Sequence, residues 1–231
     1  APTDELREGV RYLRRGGKIS VLPRACWDLL LRRLQPFDVV VDVQNGVPFL
    51  SRLFTRRPVI VLVHHVHREQ WPVVYGPIRS RIGWWIESRG APWVYRKCRY
   101  VADSESTRRE LADLGVDPER IEIIHNGVQA RSNSAGQQSP TPRILVLGRL
   151  VPHKQVEHVL RAASTIRSRV PNLSICVVGD GWWADEVRAE AHRIGVEDIV
   201  EFRGFVDDET KHRELAKAWV LALPSLKEGW G

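Results

Sequence analysis

The 231-residue sequence is long enough for one large domain or two modest ones, and its 43% apolar content indicates a globular protein. Its 35 lysines and arginines outnumber its 28 acidic residues, and the net charge of +7 favours an anionic partner such as a nucleotide, a lipid head group or a nucleic acid. Cys26, Cys98 and Cys176 are too widely spaced for a disulfide framework or a cysteine-based zinc site, which favours a reducing cytosol. No signal peptide is recognised, and no uncharged apolar run approaches the ~18 residues of a membrane span, so we expect any membrane contact to be peripheral.

The N-terminal half alternates apolar runs of strand length with stretches of helical spacing. Strands are predicted at residues 10–13, 39–43, 59–63, 100–102 and 121–124. One helix with an apolar face is predicted to begin at Pro23 and to stop before Pro36. A second helix is predicted over 104–114, where Thr107 and Glu110 fit a capping box.

Residues 131–142 are rich in Ser, Gln, Gly and Pro and show neither a strand nor a helix pattern. This composition predicts a linker between an N-terminal domain, 1–130, and a C-terminal domain, 143–231. In the C-terminal domain, strands are predicted at 143–147, 173–178, 199–202 and 219–223, and helices at 155–169, 184–194 and 209–217. Strands that alternate with helices in this way predict the α/β class, with a parallel sheet and right-handed crossovers.

The stretch from 143 to 157 combines a strand, a turn and the start of a helix. Gly148 ends the strand, and Arg149 and Lys154 flank the turn that follows. These cations are therefore expected at the carboxyl end of a parallel strand beside a helix N-terminus, where open α/β sheets bind anionic ligands. For an isolated motif of this kind, the alternative is a pair of solvated loop cations.

Four motifs follow one another in this half of the chain: Gly148-Arg149-Leu150 with Lys154, Val177-Val178-Gly179-Asp180-Gly181, Phe202-Arg203-Gly204-Phe205-Val206, and Pro224-Ser225-Leu226-Lys227-Glu228-Gly229-Trp230-Gly231. In this order they resemble the C-terminal half of retaining GT-B glycosyltransferases, the family that includes sucrose synthases and bacterial phosphatidylinositol mannosyltransferases. The N-terminal half resembles the same family at Val63-His64-His65 and at Asn126-Gly127-Val128. The resemblance implies two Rossmann-like domains, both incomplete in this chain.

The resemblance also implies that the C-terminal domain binds a nucleotide-diphosphate sugar as a substrate, with no cofactor. Arg149 and Lys154 would stabilise the charge that develops on the departing diphosphate. Glu228 would contact hydroxyls of the donor sugar, and His64 would orient the acceptor hydroxyl or the departing sugar. The other donor-binding residues implied are Gly148, Gly179, Asp180, Gly181, Phe202, Gly204, Gly229 and Trp230, although the Phe202 side chain is more readily assigned to the core. The acceptor-side residues implied are His65, His67 and Asn126.

The histidines after the strand at 59–63 raise the alternative of a metal site. His64 and His65 would point to opposite sides if the strand continued, and no carboxylate or cysteine neighbour completes a ligand set. The sequence also lacks an Asp-X-Asp motif, which metal-dependent glycosyltransferases of the other common fold use. A metal-independent enzyme is therefore predicted.

Both ends of the sequence depart from the family's pattern. The resembling enzymes begin with a strand and a glycine-rich loop, which nothing in residues 1–22 matches. They also carry a second glutamate beyond the position of Glu228, which this sequence, ending at Gly231, does not reach. We expect from these departures that the chain is truncated at both ends.

Between residues 71 and 100, tryptophans and tyrosines alternate with arginines and lysines, and Glu87 is the only acid. This pattern is typical of a surface that meets anionic lipid head groups. A core helix pair with a basic rim is an equally good explanation. Nucleic acid is not expected as a partner, because no RNA-binding or DNA-binding motif accompanies the pattern.

These observations predict a cytoplasmic glycosyltransferase, peripheral at the inner face of the membrane, that moves a sugar to a glycan or lipid-linked acceptor. Two alternatives stay open. One is a sugar-nucleotide 2-epimerase on the same scaffold, and the other is a non-catalytic basic module that binds membranes or nucleic acid.

Overall fold

The computed structural model describes residues 3–17, 20–31, 36–127 and 136–228. They form two compact units. Within the described ranges, the first unit comprises residues 3–71 and 75–127, and the second comprises residues 72–74 and 136–228. Each unit is built on a four-stranded parallel sheet with helices, so the predicted α/β class with two Rossmann-like units is confirmed. Much of the predicted linker, residues 131–135, lies outside the described residues.

The first unit opens with a hairpin that the sequence predicts only in part. Strand β1, Asp4–Arg7, pairs antiparallel with β2, Val10–Leu13, and Glu8 in the tight turn between them has a positive φ of 51°. An ion pair of 2.6 Å joins Arg11 to Asp4 across the strands. Because most side chains of β1 are exposed and charged, the strand has no apolar pattern by which a sequence can reveal it.

The sheet of the first unit consists of β3 (Val40–Gln44), β4 (Val59–Val63), β5 (Arg99–Ala102) and β6 (Ile121–Ile123). These strands are parallel and lie in the order β3–β4–β5–β6. Val61 and Val63 of the inner strand β4 are fully buried, as its continuous apolar run predicts. The residues that follow the four strands therefore share one edge of the sheet.

Along this part of the chain the helices are α1 (Val21–Leu30), α2 (Trp71–Val74), α3 (Pro77–Trp85), α4 (Ala91–Val94) and α5 (Glu105–Asp113), and a π-helical turn, Ile86–Gly90, joins α3 to α4. Helix α1 begins and ends earlier than predicted, and residues 32–35 lie outside the described ranges. The predicted capping box at Thr107 and Glu110 is wrong. Ser104 caps α5 instead, because its extended backbone directs its hydroxyl to the N–H of Thr107, at 3.2 Å.

The second unit contains the strands β7 (Arg143–Leu147), β8 (Ser174–Val178), β9 (Val200–Gly204) and β10 (Val220–Leu221) and the helices α6 (Val156–Ile166), α7 (Ala184–Arg193) and α8 (Asp208–Lys217). All of these elements are predicted from the sequence, with ends that differ by a few residues. The strands are parallel, in the order β10–β7–β8–β9. The chain thus moves from β7 to β9 on one side and returns to the other side of β7 for β10. The sheet therefore has its topological switch point between β7 and β10, where open parallel sheets bind ligands.

The core of the second unit lies between its sheet and the apolar face of α6. Leu160 and Ala163 of this helix are fully buried, and they belong to the same cluster as Ile175 and Val177 of β8. This packing sets the N-terminus of α6 beside the turn that follows β7. In the described parts of the chain, we find no helix whose length and hydropathy would let it cross a bilayer.

Candidate active site

The turns after β7 and β10 meet at the switch point of the second sheet. Lys154 Nζ lies 2.5 Å from Glu228 Oε1, although the two residues are 74 positions apart in the chain. The N–H of Leu226 donates to the carbonyl of His153 at 2.8 Å, which holds one turn against the other. The Lys154 and Glu228 side chains are 24% and 31% exposed, so a ligand can reach the pair.

Arg149 adds an exposed cation at the same place. It follows Gly148, and with Lys154, Pro224 and Ser225 it lines a shallow depression at the carboxyl edge of the sheet. Among the described residues, no acid pairs with the Arg149 guanidinium. An unpaired guanidinium can hold two phosphate oxygens in its planar fork, whereas Lys154 acts as a point charge.

Gly179 and Gly181 join the neighbouring turns by close backbone packing. A Cβ atom at Gly179 would lie 1.9 Å from the carbonyl oxygen of Gly148, and one at Gly181 would lie 2.1 Å from that of Leu150. The N–H of Gly148 donates to the carbonyl of Val178 at 3.0 Å in the same region. The packing of the turns is thus a physical reason for glycine at both positions, and donor binding by these residues stays a prediction.

The other predicted donor-binding residues occupy the turns after β8 and β9. The Asp180 carboxylate accepts a hydrogen bond from the next backbone N–H at 2.7 Å, and the carbonyl of Gly204 accepts one from the β8 turn, also at 2.7 Å. Phe202 is half-buried and packs against the core, which agrees with the core assignment of its side chain. Gly229 and Trp230 lie outside the described residues.

At the carboxyl edge of the first sheet, His64 faces a buried carboxylate. Its Nδ1 lies 3.5 Å from Asp103 Oδ2, and Asp103, the first residue after β5, is 2% exposed. The hydroxyl of Thr107 lies 3.0 Å from the His64 carbonyl and 3.1 Å from Asp103 Oδ1. A carboxylate on this side of the ring favours a proton on Nδ1 and leaves Nε2 for a ligand.

The rings of His65 and His67 are in contact, with centroids 4.2 Å apart and planes tilted by 37°. His67 Nδ1 lies 3.0 Å from Oε1 of Glu87, and its Nε2 lies 2.9 Å from Oδ1 of Asn45. Burial, followed by the charge of His67, lowers the pKa of His65 to about 4. His65 is therefore neutral near pH 7, so one of its ring nitrogens donates and the other accepts, and its Nε2 lies 3.2 Å from Nε2 of Gln70.

Two of these histidines have a carboxylate neighbour that is not close to them in the sequence. Asp103 lies beside His64 and Glu87 lies beside His67, because the fold brings together segments that are distant in the sequence. Strand β4 ends at Val63, before the histidines. The argument that His64 and His65 point to opposite sides of a continuing strand therefore does not apply. Within the described ranges, no group of three or more His, Cys, Asp or Glu side chains is arranged to hold a metal ion.

Asn126, the third predicted acceptor-side residue, is exposed just after β6 at this same edge. Sequence reasoning missed Asn45 and Asp103, although each directly follows a parallel strand and the rule on carboxyl ends could have found both. In the sequence, Glu87 stands out only as the single acid in the basic segment. No local signal shows that this side chain points inward from its helical turn.

The aromatic and basic residues 71–100 divide between the core and the surface. Trp71, Tyr95 and Tyr100 are buried, so the core explanation is correct for these three. The exposed members are the apolar side chains Tyr75, Ile78, Ile82, Trp85 and Trp93 and the cations Arg79, Arg81, Arg89, Arg96, Lys97 and Arg99. Glu87 is fully buried, so the surface of this segment carries cations and no acid.

Comparison with protein families gives two adjoining matches. Residues 2–131 match the model described as Glycosyltransferase Family 4, which covers more than half of the chain, and residues 129–231 match the model described as Glycosyl transferases group 1. The chain belongs to glycosyltransferase family 4. The resemblance predicted from the sequence motifs is thereby confirmed.

Several curated proteins are similar to this family 4 chain. It is 29% identical to the GDP-mannose-dependent alpha-(1-6)-phosphatidylinositol monomannoside mannosyltransferase of Mycobacterium tuberculosis, over 96% of the chain and 60% of that protein. It is 27% identical to the MMP alpha-(1->4)-mannosyltransferase of Mycolicibacterium hassiacum, over 87% of the chain and 51% of that protein. An uncharacterized glycosyltransferase of Methanocaldococcus jannaschii is 28% identical over 59% of the chain and 39% of that protein. The chain therefore spans 39% to 60% of the length of these three relatives.

Solved structures share the fold of this family 4 chain. Sucrose-phosphate synthase from Thermosynechococcus elongatus matches with a TM-score of 0.75 at 15% identity, over 100% of the chain and 64% of that structure. WaaG, a glycosyltransferase involved in lipopolysaccharide biosynthesis, matches with a TM-score of 0.68 at 16% identity, over 97% of the chain and 65% of that structure. At these identities the likeness concerns the fold alone. The comparisons favour neither a 2-epimerase nor a non-catalytic adaptor.

Proposed function

We propose that this chain is part of a retaining, metal-independent glycosyltransferase that transfers a sugar from a nucleoside-diphosphate donor to a glycan or lipid-linked acceptor in the cytoplasm. The observation that carries the proposal is the Lys154–Glu228 pair beside Arg149, at the switch point of the second sheet. One of the relatives named above is described as GDP-mannose-dependent, which supports guanosine diphosphate as the first ligand to test. The retaining outcome rests on the resemblance of the motifs.

Donor chemistry at this site needs positive charge where the sugar–phosphate bond breaks. As the bond lengthens, negative charge builds up on the diphosphate, and Arg149 and Lys154 are held at the turn where that group would lie. Glu228 is kept within contact of Lys154, so it can accept hydrogen bonds from sugar hydroxyls while the ammonium holds phosphate. Because both groups are in position before the donor arrives, little reorganisation accompanies the reaction.

We assign acceptor binding to the carboxyl edge of the first sheet. His64, with Asp103 at its Nδ1, can present Nε2 to a hydroxyl group as a hydrogen-bond acceptor. The neutral His65 offers a second polar contact nearby. This edge also carries the exposed amides of Asn45 and Asn126, which suit a ligand rich in hydroxyls.

Calorimetry with guanosine and uridine diphosphate tests the donor site. Arg149→Ala should weaken diphosphate binding by about 1.5–3 kcal/mol, the usual contribution of a hydrogen bond to a charged group. The control is Arg169→Ala, which removes an exposed arginine beyond the end of α6 and should leave binding unchanged. Equal affinity of wild type and Arg149→Ala would refute the donor site. For the longer protein, an NMR measurement that finds an inverted anomeric configuration in the product would refute the retaining mechanism.

We also propose that residues 75–99 dock on an anionic membrane, which would place a lipid-linked acceptor near the histidines. Ile78, Ile82 and Trp85 are exposed at helical spacing along α3, so they form one apolar stripe. The exposed cations listed above lie in the same segment of the chain, and the Arg96 guanidinium lies 5.4 Å from the centre of the Trp93 ring. Basic residues close to an anionic bilayer each contribute about 1 kcal/mol, and inserted apolar side chains add a part that salt does not screen.

Vesicle co-sedimentation tests the membrane proposal. Wild-type protein should bind vesicles that contain phosphatidylserine at low salt and should be partly retained at high salt. Trp85→Ser should abolish the retained part, whereas Trp182→Ser, which removes an exposed tryptophan from the second unit, should not. Absence of binding at low salt would refute membrane docking by this segment and would favour a soluble acceptor.

A further inference from the structure

Glu87 is a fully buried acid to which the reaction proposed above gives no role. It lies in the π-helical turn between α3 and α4, and turns of this type are frequent at functional sites. Its Oε1 accepts hydrogen bonds from the backbone N–H of His67 at 3.1 Å and from His67 Nδ1 at 3.0 Å. Its Oε2 accepts one from Trp71 Nε1 at 2.7 Å.

Three donors that converge on one side chain require the two oxygens of a carboxylate. A glutamine in its place would offer one oxygen, and its NH2 group would face a donor. The backbone N–H of His67 and the indole N–H of Trp71 can only donate. Nδ1 of His67 is the one partner that can change its role, so the carboxylate of Glu87 keeps the proton on this nitrogen.

The Trp71 ring links the same carboxylate to the turn after β3. A Cβ atom at Gly83 would lie 2.4 Å from the ring, and one at Gly46 would lie 3.3 Å from it, so the ring fills the space that two glycines leave. Gly46 directly follows Asn45, whose side-chain amide is within hydrogen-bond distance of His67 Nε2, with Oδ1 at 2.9 Å, and an amide can present either its oxygen or its NH2 group at such a position. Contacts through both rings therefore connect Glu87 to the exposed Asn45 amide.

We infer that Glu87 is a positioning residue of the acceptor side, which holds the proton of His67 on Nδ1. Nε2 of the same ring then accepts a hydrogen bond, so the Asn45 amide turns its NH2 group to this nitrogen and its oxygen toward a hydroxyl group of the acceptor. The assignment of this edge to the acceptor rests on the proposed function. A side-chain amide donates on one side and accepts on the other, as neighbouring hydroxyls of a sugar or polyol require. The contacts from Glu87 to Asn45 exist without a ligand and can be tested separately.

NMR of 15N-labelled, ligand-free protein tests the inference. In the wild type we expect a protonated Nδ1 on His67. Glu87→Gln should remove the proton from Nδ1 and should shift the side-chain amide signals of Asn45. The control is Glu122→Gln, which removes an exposed acid from β6 and should change neither signal.

A wild-type His67 that carries its proton on Nε2 alone would overturn the inference. A Glu87→Gln variant that is less stable but keeps both NMR signals would also overturn it, because Glu87 would then be a purely structural residue. If Glu87→Gln does not fold, Asn45→Ala, a change at an exposed position, provides the second measurement. A His67 Nε2 signal that is the same in Asn45→Ala and in the wild type would refute the contact between Asn45 and His67. Absence of sugar transfer alongside the expected NMR signals would count against the proposed function alone.

Discussion

Alanine at Gly179 tests whether the turns at the donor edge form one packed unit. A Cβ atom there would lie 1.9 Å from the carbonyl oxygen of Gly148, and ordinary contact begins at 3.4 Å, so the turns must separate by the difference, about 1.5 Å. That shift breaks the hydrogen bond from the Gly148 N–H to the carbonyl of Val178, at 3.0 Å, and the one from the Gly179 N–H to Gly204, at 2.7 Å. The variant should therefore lose both stability and diphosphate binding.

The expected magnitude is the sum of an overpacking cost and a backbone cost. Overpacking costs about 1–3 kcal/mol, and a non-glycine residue at the φ of +129° found here costs about 1–3 kcal/mol more. In a unit of this size each kcal/mol lowers the melting temperature by about 4–8 °C, so we expect a loss of at least about 8 °C by circular dichroism. The control is Gly195→Ala, which has a positive φ of +66° and open space around it, and it carries the backbone cost alone. If Gly179→Ala is no less stable than Gly195→Ala, the turns are not packed as described.

Folding lowers the pKa of His65 from 6.5 to about 4. Between these pH values the unfolded state binds a proton that the folded state does not, so the free energy of unfolding should fall as the pH drops from about 6.5 to about 4. Denaturant titrations of His65→Gln should show a flatter pH dependence, and an unchanged slope would refute this. Gly83→Ala places a Cβ atom 2.4 Å from the Trp71 ring and should lower the free energy of unfolding by about 1–3 kcal/mol; a neutral result would contradict the packing of that ring. Lys154→Met should weaken diphosphate binding in calorimetry but change stability by less than about 1 kcal/mol, because its ion pair is partly exposed. A larger loss of stability than of binding would make the pair structural.

Much of the fold and part of the candidate site follow from local patterns in the sequence. The runs at 59–63 and 143–147 are strands with those bounds, because a strand covered on both faces needs apolar side chains on both. Glycines and cations directly after such strands fall at the carboxyl edge of a parallel sheet whatever the details of packing. The sequence therefore predicts that Arg149 and Lys154 lie at the edge where anions bind.

Charged strands and side chains that turn inward from helices have no such local pattern. Strand β1 is held by ion pairs with β2 and shows no apolar alternation, so its pairing appears only in the structure. In the basic aromatic segment, Trp71 is buried and Trp93 is exposed, although each is a tryptophan next to a proline. Their difference depends on which face of the helix meets the sheet, and Gly83 makes room for Trp71 alone.

The sequence by itself determined the α/β class, the alternation of elements, the family motifs and the edge of each sheet at which the candidate site residues lie. These properties depend on residues close together in the chain, where periodicity and turn chemistry act. Only the tertiary structure decided that Lys154 meets Glu228, that Asp103 faces His64 and that Glu87 holds His67. Such contacts join residues 20 to 74 positions apart, and they arise because strand order and helix rotation bring their side chains to one place, which no local pattern records.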